Sequence, residues 1–282
     1  MPYFLILPAA IGLLMFSYYP LVYSVILSFF EWFPSLQRQS VFVGLRNWIE
    51  LSKDPLVAIS LANTFVFTVV SVALEFVIGL AIAIVLKRDI WGRGIIRTAI
   101  IIPMMATPIA TFLLWRYLMF DFHFGLINYF LSFFAVKPVT WLSSESTAML
   151  SIIMLDIWQW TPFMVLTLFA GLMSIPRENY EAAKVDGASR WETFRHIDLP
   201  SLRAVILIVL LIRVMDSFTV FDKVYVLTAG GPGTATYSIA YYTYQMAFHA
   251  FNLGYGATLS TLMFICIVSL SLVQMLSIRR KA

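Results

Sequence analysis

Residues 56–86 read LVAISLANTFVFTVVSVALEFVIGLAIAIVL, thirty-one residues with a single charge, Glu75. A helix needs about 20 mostly apolar residues to cross roughly 30 Å of hydrocarbon at about 1.5 Å per residue, so this run is long enough to span a bilayer. The chain repeats the pattern on both sides of it. Tyr3–Phe30 is uncharged, Thr98–Trp115 is uncharged and can continue through Phe120, and Thr147–Met173 is interrupted by Asp156 alone. Leu202–Tyr225 has an apolar body with Arg213 and Asp216 inside it, and Tyr255–Ile278 is again uncharged. With 61% of 282 residues hydrophobic and 12% charged, there is more apolar material than one soluble core can hide, and lipid becomes the expected solvent. The expectation is an all-α membrane protein, one domain over residues 1–282, with six spans at about 3–30, 56–86, 98–120, 147–173, 202–225 and 255–278.

The uncharged stretch between the last two spans contains Gly230, Gly231, Pro232 and Gly233, which would leave backbone groups unpaired in hydrocarbon, so it reads as an external loop. Lysine and arginine then orient the bundle. Lys87, Arg88, Arg93, Arg97, Arg177, Lys184, Arg190, Arg195, Arg203, Arg279, Arg280 and Lys281 fall on one side, against Arg38, Arg46, Lys53, Arg116, Lys137 and Lys223 on the other. The richer side is cytoplasmic, which puts both termini inside. The net charge of +4 follows from this asymmetry and calls for no nucleic-acid partner. The first apolar run exceeds the ~7–15-residue core of a signal peptide and has no charged segment before it, so a retained helix is expected, as is a short basic segment ahead of it.

Chemistry is sparse. Cys266 stands alone in the last span as a small packing residue, and His123, His196 and His249 are dispersed, so no metal site and no catalytic constellation is expected. No GxxxxGK[ST] phosphate loop occurs, which excludes that mode of ATP binding. Arg213 and Asp216, three apart near the middle of their span, share a helix face and can neutralise one another. A charge at that depth costs about 2.5–3.5 kcal/mol on insertion scales unless paired or hydrated, so this face should point into the bundle, as should Glu75 and Asp156. Pro103, Pro108 and Pro162 remove backbone donors inside spans three and four, either as tolerated kinks or as borders of a solute path. The external stretches 31–55 and 121–146, with Trp32, Trp48 and Trp141, are interfacial loops or docking surfaces for an outside partner.

The most polar segment is the cytoplasmic connection 174–200. Pro176 suits a first helical turn, Glu178 and Glu181 suit a positive helix N-terminus, and Glu181 can pair with Lys184 at i, i+3. Asp186 and Gly187 supply a turn, and Ser189 to Glu192 form a capping box that opens a second short helix presenting Trp191 and Phe194. A helix-turn-helix elbow with charges and an aromatic knob at its surface is expected, closed by Pro200.

Within that elbow, Glu181, Ala182, Ala183, three residues, Gly187, nine residues, Ile197, one residue, Leu199, Pro200 resembles without a gap the EAA signature of permease subunits of binding-protein-dependent ABC importers. The resemblance implies a type I (MetI-like) importer bundle in a prokaryotic inner membrane and a coupling helix that docks into a cleft of an ATPase, with Glu181, Ala182, Ala183, Gly187, Arg190 and Trp191 at that contact. Tyr225–Pro232, YVLTAGGP, resembles the sugar, polyol and glycerol-phosphate branch. By the same resemblance the partners are a second permease, an ABC ATPase dimer that carries ATP and magnesium, and an extracytoplasmic solute-binding protein; this chain carries no cofactor. The family's solute site at mid-membrane draws on span five, which makes Asp216, Ser217, Thr219 and Arg213 candidates for the substrate path, with Trp158 or Trp160 to stack on a sugar face, although the family's amide-bearing pattern is not matched in that helix. An ion-pair network bracing the helices is the structural alternative for the charged residues. An ion-coupled carrier using Glu75, Asp156 and Asp216, or a scaffold using the elbow only as a docking motif, are the functional alternatives.

Overall fold

A computed structural model describes residues 2–34, 39–88 and 91–279; Arg38, Arg280 and Lys281, counted above for orientation, lie outside the described residues. The elements in order are helices α1 (Pro2–Leu13) and α2 (Tyr19–Leu27), a hairpin β1 (Phe30–Glu31) and β2 (Val41–Phe42), and helices α3 (Arg46–Lys53), α4 (Pro55–Lys87), α5 (Arg93–Met105), α6 (Pro108–Leu114) and α7 (Leu126–Ser132). They continue with α8 (Glu145–Met173), α9 (Arg177–Val185), α10 (Arg190–Thr193), α11 (Leu199–Ser201), α12 (Arg203–Phe218), α13 (Asp222–Leu227), α14 (Ile239–Tyr244) and α15 (Leu253–Arg279). Four described helical runs are long and apolar enough to cross a membrane: Leu7–Leu27, α4, α8 and Leu253–Leu276. Arg93–Met105 and Pro108–Met119, bent by 95° where they meet, give a fifth if taken together.

The break in that pair has a local cause. Proline disfavours helical backbone in the residue before it, and Thr107 is extended at ψ 121° ahead of Pro108, which then opens α6. Pro103 and Pro162, by contrast, sit inside α5 and α8 without ending them. Where a span over 202–225 was expected, α12 stops at Phe218 after 16 residues, about 24 Å. Thr219 ends it: its backbone N–H and its hydroxyl both donate to the Asp216 carbonyl, at 3.1 and 2.8 Å, and the chain turns before α13 begins.

The chain divides into two compact units. The first holds residues up to Thr64 with Tyr237–Ser269, the second Phe65–Thr236 with the chain from Leu270. In the first unit Asp54 ties three helices. One carboxylate oxygen accepts the Leu56 N–H at the start of α4, at 2.9 Å, and the other accepts the hydroxyls of Tyr242 and Tyr255 at 2.5 and 2.7 Å. Asn47 donates to the Ser28 and Phe30 carbonyls, both at 2.9 Å, and fastens α3 to the hairpin. Gly254 is needed because a Cβ there would collide with the Phe30 carbonyl.

The second unit has an apolar core of its own. Val72, Ala83 and Leu86 of α4 pack with Met164, Val165, Leu168 and Leu172 of α8 and with Leu202 and Val209 at α12. Gly79 brings α4 against α8 so closely that an added Cβ would lie 2.5 Å from the Met164 Cβ. On the loop 121–146, the buried Asn128 donates to the Phe122 and Val139 carbonyls and accepts from the Trp141 indole at 3.0 Å, so that this stretch is fastened in place.

Candidate functional site: a buried charge cluster, its cavity and the polar elbow

Arg213 of α12 is fully buried and stands at the centre of four carboxylate contacts. Its Nε and one terminal nitrogen donate to the two oxygens of Glu75 on α4, at 2.8 and 2.9 Å, and the same terminal nitrogen reaches Asp156 on α8 at 3.0 Å. Its other terminal nitrogen binds Asp216, one turn along its own helix. Lys223 of α13 completes the cluster with its ammonium 2.5 Å from the second oxygen of Asp156. The guanidinium also lies over the Trp160 ring, 4.7 Å from its centroid. A planar fork of donors suits this arrangement, because each pair of parallel N–H groups can meet a different acid. The cluster ties α4, α8, α12 and α13 through contacts 57–138 residues apart in sequence.

The i, i+3 pairing expected for Arg213 and Asp216 is present, but it is one contact of several, and the two residues differ in setting. Arg213 has no exposure, whereas the Asp216 side chain is 47% exposed. Asp216 opens onto a cavity of about 240 Å³ whose polar wall includes Ser217, Thr219, Gln159, Asp222 and Lys223, with Trp160 among the rings. Of the residues expected along a substrate path, the structure therefore gathers Asp216, Ser217, Thr219 and Trp160 at one cavity and sets Arg213 behind it. Trp158 lies elsewhere on α8 and meets Trp115, with ring centroids 5.4 Å apart.

Three residues of this site escaped the sequence reading. Lys223 was counted as an external loop cation, yet it is 8% exposed and paired with Asp156. Gln159 supplies from α8 an amide that the α12 sequence lacks; it is 6% exposed, and among the described residues its side-chain oxygen has no hydrogen-bond partner. Asp222 stands exposed at the cavity wall. Only the position of Gln159, on the same helix and one turn beyond Asp156, gave a signal, since i and i+3 share a face. The three carboxylates that an ion-coupled carrier would use, Glu75, Asp156 and Asp216, are all engaged by Arg213 or Lys223.

The elbow is built from its ends inward. Pro176 caps α9 from outside the helix, one position earlier than expected. At the other end Gly187 takes φ +73°, its N–H donates to Lys184, and the Ala188 N–H donates to Ala183, a Schellman ending that satisfies carbonyls the helix leaves open. Ser189 and Glu192 then form the expected capping box, at 2.7 and 3.3 Å, and the Ser189 hydrogen bonds hold the Glu192 carboxyl below its ordinary range. The Glu181–Lys184 ion pair suggested by spacing is not formed among the described residues. Glu181, Ala182, Gly187, Arg190 and Trp191 are exposed, while Ala183 is buried and packs the elbow. Between α9 and α10 lies a hollow of about 540 Å³, walled by Asn179, Ala182, Gly187, Glu192 and Thr193 among others.

Asp198 roots the elbow. Its carboxylate, 4% exposed, accepts the Tyr180 hydroxyl at 2.6 Å and the Lys87 ammonium at 2.8 Å, and that ammonium sits 3.9 Å from the Tyr180 ring centroid. Burial and the bond to Asp198 push the Tyr180 phenol above its ordinary range. A rigid link thus runs from α9 through Asp198 to the end of α4.

Residues 75–282, which include both the charge cluster and the elbow, match the family described as binding-protein-dependent transport system inner membrane component. The chain belongs to that family. It is 41% identical over 237 residues to the trehalose/maltose transport system permease protein MalF of Thermococcus litoralis, covering 83% of this chain and 79% of the relative. It is 34% identical over 271 residues to the trehalose transport system permease protein SugA of Mycobacterium tuberculosis, covering 96% and 86%. Among solved structures, a bacterial ABC transporter involved in the import of alginate matches with a TM-score of 0.86 at 22% identity, covering 99% of this chain and 94% of that one. The fold is therefore the all-helical fold of importer permeases, and this permease is a membrane component of a transport system, not itself the enzyme.

Proposed function

We propose that this chain is the transmembrane subunit through which an ATP-driven importer moves a sugar, polyol or related solute into the cytoplasm of a prokaryotic cell. The importer class follows from family membership. The carbohydrate class rests on the trehalose/maltose and trehalose systems to which the permease is similar, together with the YVLTAGGP segment. The polypeptide crosses the inner membrane six times with both termini cytoplasmic, the short α12 completing one crossing together with α13. It pairs with a second permease, rests on an ABC ATPase dimer that binds ATP and magnesium, and receives its solute from an extracytoplasmic binding protein. The solute passes along the cavity of Asp216, Ser217, Thr219 and Trp160, while Arg213 braces the helices behind it.

One observation carries the coupling role: the exposed Glu181, Ala182, Gly187, Arg190 and Trp191 stand on an elbow whose root, Asp198, is bonded to the end of α4. Force applied to that surface by an ATPase reaches the membrane helices without a flexible joint in between. The test is to tag the permease, extract it gently from its native membrane and identify co-purifying proteins by mass spectrometry. A nucleotide-binding ATPase and a second permease in stoichiometric amounts are expected; recovery of the chain alone, or only with itself, would overturn the ATP-driven reading.

A further inference from the structure

The formal charges around the cavity do not balance. Asp156, Asp216 and Asp222 line it with one cation, Lys223, and even with Arg213 behind them the acids outnumber the cations three to two. Both cations are already paired with acids. Arg213 is wholly buried and saturated by acids, and Lys223 is held against Asp156. The surplus negative charge sits where the cavity is open, on the half-exposed Asp216 and the exposed Asp222.

The neutral groups extend the same pattern. Ser217 gives its hydroxyl proton to the Arg213 carbonyl at 2.7 Å and Thr219 gives its own to the Asp216 carbonyl at 2.8 Å, so both present lone pairs to a visitor. Gln159 adds an amide, which can both donate and accept, to the same wall. The wall is rich in hydrogen-bond acceptors and carries net negative charge.

From this we infer that the cavity is a charge filter: it admits neutral or cationic hydroxyl-bearing solutes and rejects saccharides bearing a carboxylate, sulfonate or phosphate, with Asp216 and Asp222 as the residues that set the selectivity. A polyhydroxylated neutral solute brings donors for those acceptors without adding charge. An anionic one brings acceptors and like charge into a recess where protein walls reduce screening.

The inference rests on the cavity lying on the solute path, and the two fail in different ways. In the assembled importer in membrane vesicles, with Cys266→Ser as background, Thr219→Cys places a thiol at the exposed end of α12. Its modification rate by a cationic (trimethylammonium-ethyl) and an anionic (sulfonato-ethyl) methanethiosulfonate is measured, each normalised to its rate with a small free thiol. The cationic reagent is expected to be favoured about ten- to a hundredfold. That ratio should fall toward one in Asp216→Asn/Asp222→Asn and return with Asp216→Glu/Asp222→Glu. Equal normalised rates in the Thr219→Cys protein would overturn the filter alone. A thiol inert to both reagents, in a protein that folds and assembles, would overturn the path reading and the filter with it.

Discussion

Replacing Arg213 by methionine removes the hub of the charge cluster and keeps most of its volume. The consequence for each carboxylate can be read from its surroundings. Asp216, with 47% of its side chain exposed, is taken over by solvent, and Asp156 keeps the Lys223 ammonium at 2.5 Å. Glu75 has neither remedy, being 0% exposed and losing both of its N–H donors. A buried ion left without its partner costs about 3–5 kcal/mol. At about 2–4 °C per kcal/mol for a chain of this size class, the midpoint for thermal loss of monodisperse protein, followed by fluorescence-detected size exclusion in detergent, should drop on the order of 10 °C. Removing both ends of the strongest pair, Arg213→Met with Glu75→Met, should recover most of the loss, because an apolar replacement of a buried pair is often neutral or better. A wild-type midpoint for Arg213→Met, or a double variant no better than the single one, would refute the argument that Glu75 is the orphaned charge.

Two further outcomes concern the elbow. Gly187 adopts a left-handed backbone with no atom within 4 Å of an added Cβ, so Gly187→Val strains the chain by about 1–2 kcal/mol without a clash; solute uptake by the assembled importer should fall while ATP hydrolysis persists, and full uptake would count against the coupling role. Lys87→Met leaves Asp198 with Tyr180 alone, which should loosen the root of the elbow and lower uptake per ATP hydrolysed several-fold, with Lys87→Arg restoring much of it; an unchanged ratio of uptake to hydrolysis would show that the link to α4 transmits nothing.

Much of the elbow was legible because its signals are local. A Gly after a polar turn, a Ser three residues before a Glu, and the spacing from Glu181 to Pro200 all act within one or two helical turns, where sequence distance and spatial distance agree. The long apolar helices were legible for a related reason: length and absence of charge over 56–86 leave few alternatives to a lipid-facing helix, and α4 runs Pro55–Lys87. Pairing across helices was another matter. Sequence joined Arg213 to Asp216 three residues away, but Glu75 lies 138 residues from Arg213 and Lys223 lies 67 from Asp156, and no periodicity links positions so far apart.

The sequence by itself determined that this chain is helical, apolar enough to call for lipid, and folded into a capped helix-turn-helix elbow at its EAA segment, since hydropathy, helix capping and turn chemistry are properties of neighbouring residues. Only the tertiary structure decided that α12 ends at Phe218, that Lys223 is a buried partner and not a loop charge, and that Asp216 and Asp222 face a cavity with Gln159. Those facts depend on which helices pack together. The gain from satisfying a buried charge is set by the groups that meet it in space, and the chain order does not record that meeting.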